Sequence, residues 1–163
     1  MSMDYTRSAT NNKFGSFNYR DLEGGKIEVD IKWVKENMIN YTLPPLVQAT
    51  FKVKTIQVHK NSKVYWDKAF SLLVAEPSLL KLIKTFDGAY VTRHIRWDSS
   101  KGISNHAWGT AIDLNAGQFP LGTYIDAQKS PNNPNLILFK KVFEPAGFSW
   151  GNSYKDPMHF EIL

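Results

Sequence analysis

The sequence contains no cysteine, and this absence excludes several kinds of site at once. Disulfide scaffolds, cysteine-ligated zinc fingers, iron–sulfur clusters and thiol nucleophiles all require that residue. No apolar run approaches the length of about 20 residues that a membrane-spanning helix needs, so we expect no membrane insertion. The first twenty residues are polar and lack the apolar segment of a secretory signal peptide, so we expect synthesis in the cytoplasm without signal cleavage.

Charge is not concentrated in any part of the chain. Its 163 residues include 20 basic and 15 acidic side chains, which gives a net charge of +5. This excess favours an anionic partner without identifying one. A nucleic-acid-binding protein remains a rival hypothesis, but the sequence has neither a nucleic-acid motif nor a clustered basic patch, so we predict no nucleic-acid partner.

The length and the apolar content of 42% suit one globular domain, residues 1–163. Helical spacing predicts helices at residues 29–39, 62–76, 79–86 and 134–146, and alternation predicts strands at 50–59, 89–95, 108–115 and 148–163. Because the later strands are not all separated by helices, the predicted class is α+β, with a central antiparallel sheet and helices packed on one side. Residues 1–26 are predicted to form a loosely packed N-terminal arm.

The segment from Ser104 to Asp113 carries a histidine and an aspartate seven positions apart, with no other charged side chain between them. On a flat strand this odd spacing would place His106 and Asp113 on opposite faces, so they can meet only if the chain bends. Gly109 is where a bend costs least. The pattern is compatible with metal ligation, and equally with a core aspartate that accepts hydrogen bonds from turn amides.

A second group of polar residues runs from Asp156 to Glu161. His159 and Glu161 share one face of the predicted last strand, where a purely structural histidine is one interpretation. With His106 and Asp113, His159 would complete two imidazoles and one carboxylate, a set that leaves a fourth position open, as a hydrolytic zinc ion requires. Asp156 could lie over that position and accept a proton from the attacking water.

An arginine lies on the apolar phase of the strand predicted at residues 89–95. A guanidinium there needs an anionic partner, so Arg93 is either half of a structural ion pair or a clamp for a substrate carboxylate or a scissile carbonyl. Arg96 is the competing candidate on the more polar face, and strand phase favours Arg93. His59 is predicted to lie in a solvated turn and His94 to point away from any site that Arg93 lines.

These residues together resemble the D-alanyl-D-alanine carboxypeptidase family of zinc peptidases, which shares its metal-site architecture with lysostaphin and the hedgehog signalling domain. The resemblance is strong over residues 87–115 and 147–162 and weak over 1–80. The residues that carry it are Arg93, Ser104-Asn105-His106, Gly109, Ala111, Asp113, Trp150-Gly151 and Asp156-Pro157-Met158-His159-Phe160-Glu161.

The resemblance implies a zinc site and a role for each residue around it. His106, Asp113 and His159 would bind Zn²⁺. Asp156 would be the general base, and Arg93 would stabilise the developing oxyanion or hold substrate. Some members have glutamate at the position of the base, where this chain has the shorter aspartate.

Further residues are expected to support this centre. Glu161 or a backbone carbonyl could orient a ligand imidazole from outside the ligand set. Ser104 and Asn105 are candidates for holding the substrate backbone, and Trp108 and Trp150 are candidates for the walls of a substrate pocket.

The implied activity is hydrolysis of peptide bonds involving D-amino acids in peptidoglycan stem peptides. Carboxypeptidase action on D-Ala–D-Ala and endopeptidase action at L-Ala–D-Glu both fit. A basic protein of this size without a signal peptide resembles a phage endolysin, which would act on the cell wall after release, and we expect a monomer. The alternative hypothesis is an inactive wall-binding or phage structural protein with the same fold.

Overall fold

The described residues, 5–163 of the computed structural model, form three antiparallel sheets and four α-helices, so the predicted α+β class is confirmed. Three sheets take the place of the one that the sequence predicted. The first contains β1 (Arg7–Asn11), β2 (Gly15–Asp21) and β3 (Ile27–Val29), and the second pairs β4 (Met38–Thr42) with β5 (Thr55–His59). The third has the order β6 (Phe86–Gly88), β7 (Ala111–Leu114), β9 (His159–Ile162), β8 (Phe148–Trp150).

The helices begin where the local sequence supplies a start signal. They are α1 (Ile31–Asn37), α2 (Pro45–Phe51), α3 (Lys63–Ala75) and α4 (Pro134–Leu138), which continues into a π-helical turn at Phe139–Phe143. The side chains of Asp30 and Asn133 accept hydrogen bonds from the first backbone amides of α1 and α4. Among residues 5–163, no helix combines the length and apolarity that crossing a membrane would take.

Aromatic packing joins the helices to one face of the third sheet. The ring of Phe160 on β9 stacks on Phe143 with 4.4 Å between centroids, and Trp66 of α3 meets Phe148 of β8 edge-on at 5.0 Å. All four of these side chains are buried. Because side chains alternate along a strand, this packing leaves the opposite face of β9 to His159 and its polar neighbours.

The N-terminal residues do not form the loose arm that the sequence predicted. β1, β2 and β3 make a continuous sheet, and Phe14 and Phe17 are only 4% and 3% exposed. The ring of Phe17 lies 5.0 Å from Trp33 and 4.5 Å from Trp108, so alternation along β2 directs its aromatic residues into the core. Residues 1–4 of the predicted arm lie outside the described residues.

Several predicted elements end earlier than expected or take another form. The predicted helix at 29–39 gives way to β4 at Met38, and the strand expected over 50–59 begins only at Thr55 because α2 occupies the preceding residues. A 3-10 helix at Pro77–Leu82 replaces most of the helix expected over 79–86. Residues 89–95 form no regular strand. Their backbone bonds instead to residues 25–27 of the first sheet and to the turn near Ser104.

Candidate metal centre

Asp113 and His159 are brought together by the pairing of β7 with β9. They are direct partners in the antiparallel register, so their side chains leave the sheet on the same face. The Oδ1 atom of Asp113 lies 3.1 Å from Nδ1 of His159. Strand register alone therefore places one carboxylate beside one imidazole.

His106 reaches the same point from a short 3-10 helix, Asn105–Trp108, that precedes β7. That helix ends at Gly109, whose φ of +69° is left-handed and whose amide bonds back to the carbonyl of His106. The bend expected at Gly109 is therefore present. A side chain there would meet backbone atoms of Val58 and His59 at 2.9 Å, so the close approach of β5 also requires glycine.

The three ligand atoms form a nearly equilateral triangle. Nε2 of His106 lies 3.2 Å from Nδ1 of His159 and 3.2 Å from Oδ1 of Asp113, and the third edge is 3.1 Å. Among the described residues, these three form a group of histidine and aspartate side chains whose ligand atoms lie close enough together to share one metal ion.

Hydrogen bonds on the far side of each ring direct lone pairs into this triangle. Nδ1 of His106 lies 2.9 Å from the carbonyl oxygen of Ala89, which can only accept, so Nδ1 carries the hydrogen and Nε2 the lone pair. Nε2 of His159 lies 3.1 Å from a carboxylate oxygen of Glu161, which likewise leaves a lone pair on Nδ1. With Asp113, three acceptors face one another and need a cation between them.

The electrostatics of the ionisable groups agree with a cation site. When protons rather than a metal cation fill the triangle, His106 and His159 can donate hydrogen bonds to Asp113. Burial raises the pKa of Asp113, but these bonds outweigh it and hold that pKa well below its ordinary value. Burial lowers the pKa of His159, but hydrogen bonds to Asp113 and Glu161 raise it to about 9. The cluster therefore attracts positive charge strongly.

The dimensions of the triangle fit a zinc ion. Two nitrogens and one carboxylate oxygen are ordinary zinc ligands, and bonds of about 2.0–2.1 Å at tetrahedral angles put ligand atoms about 3.3 Å apart. The observed separations of 3.1–3.2 Å are within a few tenths of an ångström of that value. The side chains of Asp113 and His159 are 14% and 9% exposed, whereas that of His106 is 1% exposed.

Behind His159, Glu161 is the hub of a hydrogen-bond network. Its Oε1 also accepts from the hydroxyl of Tyr154 at 2.9 Å, and its Oε2 accepts from the side-chain amide of Asn105. Asn105 in turn accepts from the amide of Asn11 on β1 at 3.4 Å. Tyr154 and Asn11 were missed by the sequence analysis, because neither belongs to a recognisable motif and both meet the site only through folding.

Asp156 lies in the turn that precedes β9. Its backbone amide donates to the carbonyl of Gly151, and its carbonyl accepts from the amide of His159, so the residue is fixed relative to the metal ligand. Its Oδ1 is buried without a hydrogen-bond partner among residues 5–163. Burial raises the pKa of Asp156, and the charge of Asp113 adds to this while His159 opposes it. This carboxylate is free to accept a proton.

Arg93 lies within electrostatic range of the same group of charges, although the strand predicted around it is absent. Burial lowers its pKa, while the carboxylates of Asp113 and Asp156 raise it, which places its guanidinium within their field. It also lies over the ring of Trp97, with 5.1 Å from Cζ to the centroid. The competing candidate, Arg96, is exposed.

Three of the expected substrate-binding residues support the fold or the ligands. Trp108 is only 2% exposed and donates to the carbonyl of Gly15, so it cannot form a pocket wall. Ser104 is buried, and its hydroxyl accepts from the amide of His106, while the amide of Asn105 is used by Glu161. Burial therefore contradicts the expected roles of Trp108 and Ser104. The role expected for Asn105, which is half-buried, stays a prediction.

Trp150 is half-buried, and its indole nitrogen donates to the carbonyl of Pro157 at 2.7 Å. This bond supports the turn that carries Asp156. Its expected role as a pocket wall stays a prediction.

The remaining two histidines lie away from the ligand triangle but are not solvated. His59 is 1% exposed and stacks near Phe14 and Trp33, which corrects the prediction of a solvated turn. His94 is 2% exposed and lies 2.5 Å from Asp21. The sequence missed these burials because the covering residues come from the turn between β1 and β2, from β2 and from α1.

Residues 98–162 match the sequence profile of a family described as D-alanyl-D-alanine carboxypeptidase. The match covers less than half of the chain. The match includes all three ligand residues and Asp156 but not Arg93, so it supports the family resemblance drawn from the motifs and a peptidase of the D-alanyl-D-alanine carboxypeptidase kind. No curated protein and no solved structure matches the chain significantly.

Proposed function

We propose that the protein is a zinc-dependent peptidase that cleaves peptide bonds involving D-amino acids in peptidoglycan stem peptides. The observation that carries the proposal is the convergence of three ligand atoms, from His106, Asp113 and His159, together with the unpaired Oδ1 of Asp156, whose backbone carbonyl bonds to the amide of His159. The family match of residues 98–162 supports a peptidase of the D-alanyl-D-alanine carboxypeptidase kind.

Zinc bound by His106, Asp113 and His159 would lower the pKa of a water molecule toward about 7 and polarise the scissile carbonyl. Asp156 would take the proton from the attacking water and return it to the leaving amine, a role worth about 10²–10⁴ in rate. Its raised pKa suits this exchange, because a carboxyl closer to neutral pH returns the proton more easily.

Arg93 would supply a cationic donor where negative charge develops on the carbonyl oxygen. Its guanidinium lies in the field of Asp113 and Asp156, and it is half-buried, so water screens its charge less than at the surface. The same group would alternatively hold a substrate carboxylate.

The net charge of +5 would concentrate the protein on an anionic cell wall in a salt-dependent way. A lytic role for a phage or a bacterium fits this charge and the predicted substrate. Carboxypeptidase and endopeptidase action both remain within the proposal, which commits to the stem peptide as substrate and to a monomeric enzyme.

The test is mass spectrometry of the fragments released from defined muropeptides by the zinc-loaded protein. We expect release of D-alanine or of a stem-peptide fragment, and loss of release on addition of a chelator. D156A should lower kcat by about 10²–10⁴ with zinc still bound.

The matched control is D67N, which changes an exposed aspartate of α3 paired with Lys63. It should leave turnover unchanged. Wall binding without fragment release, in a protein that holds zinc, would instead support the alternative of an inactive wall-binding protein.

A further inference from the structure

His94 joins the N-terminal sheet to the loop that carries Arg93. Its Nε2 lies 2.5 Å from Oδ1 of Asp21, and its Nδ1 lies 2.7 Å from the carbonyl oxygen of Lys101. Because a carbonyl can only accept, Nδ1 carries a hydrogen, and Nε2 shares a proton with the carboxylate. The ring is 2% exposed and is therefore held at both nitrogens inside the protein.

The backbone of His94 is fixed as firmly as its ring. Its amide donates to the carbonyl of Gly25 at 2.8 Å, and its carbonyl accepts from the amide of Trp97 at 3.1 Å. The same carbonyl accepts from Nη1 of Arg93 at 3.2 Å. His94 thus places both groups that hold the guanidinium, its own carbonyl and the ring of Trp97.

Arg93 depends on these contacts because its charge is otherwise unpaired. Within residues 5–163 its guanidinium forms no salt bridge. The carbonyl of Arg93 accepts from the amide of Ser104 at 3.1 Å, and Ser104 caps the turn that carries His106. A shift of the loop would therefore move the guanidinium relative to the ligand triangle.

We propose that His94, held by Asp21, is a positioning residue for Arg93. This inference rests on the proposed function, since it assigns His94 a role in the hydrolysis that Arg93 assists. His94 touches no metal ligand in the described contacts and acts through Arg93 alone. Displacement of a catalytic group by about 1 Å can cost about 10²-fold in rate, so the loss of this support should be measurable.

The test is a double-mutant cycle on the zinc-loaded full chain with a stem peptide as substrate. H94Q should lower kcat by about 10- to 100-fold, with zinc content unchanged. In the R93A background the same substitution should change kcat by less than about twofold, because the group it positions is gone. H59Q is the matched control, since His59 is equally buried, and it should leave kcat close to that of the unsubstituted protein in both backgrounds.

A second measurement follows the loop without turnover. Hydrogen exchange of the amides of Ile95 and Ser104, which bond across this loop, should accelerate in H94Q and stay slow in H59Q. Should H94Q not fold, D21N replaces it in both measurements. It removes the carboxylate while keeping the shape of the side chain, and the same results are expected.

Three results would overturn the inference while leaving the proposed function intact. They are an equal loss of kcat from H94Q with and without Arg93, an equal loss from H59Q, and a loss of zinc in H94Q. If the unsubstituted, zinc-loaded protein releases no fragment from any stem peptide, the proposed function fails first and this inference falls with it. Failure of the proposed function can be distinguished from failure of this inference, because it would be seen in the unsubstituted protein.

Discussion

Asp113 and His159 face each other across β7 and β9, with 3.1 Å between Oδ1 and Nδ1. Direct partners in antiparallel strands share a face, so the separation of these two ligands is set by strand register. His106 alone comes from outside the sheet, and its place depends on the turn that Gly109 ends. Two of the three ligands are thus held by the sheet, and the third is held by the turn.

Gly109 is predicted to be intolerant of any side chain. In G109A the new Cβ would lie 2.4 Å from Met38 and 2.9 Å from the backbone of Val58. Overpacking and a left-handed alanine cost roughly 1–3 kcal/mol each. Thermal denaturation should show the drop, and zinc affinity should fall as His106 moves. G117A is the control, because nothing lies within 4 Å of a Cβ there, and its melting temperature should be unchanged.

Glu161 is predicted to increase the affinity of His159 for zinc. E161Q keeps a hydrogen-bond acceptor opposite Nε2 but removes the charge that makes the imidazole more basic. Zinc affinity, measured by competition with a chelator, should fall about 10–100-fold. E144Q, at an exposed position paired only with Lys140, should leave the affinity as it was. An undiminished affinity in E161Q would mean that Glu161 merely fills space.

His59 is predicted to make the fold sensitive to mild acid. Burial, aided by the charge of Lys60, lowers its pKa below the ordinary value of 6.5, so the folded protein keeps this ring neutral. Between the two pKa values the unfolded chain binds more protons, and stability is therefore lost as pH falls from 6.5 through the folded pKa.

The measurement is the free energy of unfolding against pH, made in chelator so that zinc release does not contribute. H59Q should lose less stability between pH 7.5 and 5.5 than the unsubstituted protein does. Parallel curves for the two proteins would contradict the assignment.

Zinc is predicted to stabilise the folded chain by mass action. At a free concentration 100 times its dissociation constant, the gain is about 2.7 kcal/mol. H106A should abolish this zinc-dependent gain whatever its effect on the metal-free protein, because one of the three ligands is gone. H59Q should retain the gain. Persistence of the full gain in H106A would place the ion elsewhere.

The sequence was sufficient to identify the ligand triangle as a candidate. The odd spacing of His106 and Asp113 required a bend, and a glycine marked where the bend could occur. His159 could be placed on the polar face of the last strand because Phe160 and Ile162 alternate with it. These inferences depend on strand alternation and on backbone conformation, both of which are determined by residues close together in the sequence.

Contacts between distant segments were beyond those local rules. The aromatic residues of β2 look like part of a loose arm until Trp33 and Trp108 are seen to cover Phe17. Residues 89–95 alternate like a strand, yet they form only isolated bridges, from Arg93 to Lys26 and from His94 to Ile103. The substrate-binding expectations for Trp108 and Ser104 failed for the same reason, since a residue's exposure depends on what packs over it.

His106 and His159 are separated by 53 positions, and a shared ion would tie them together. Such a cross-link restricts the conformations of the unfolded chain, as a disulfide would. It therefore lowers the conformational entropy that folding must overcome. In a protein without cysteine, the metal would serve as a reversible cross-link that forms or breaks as the zinc concentration changes.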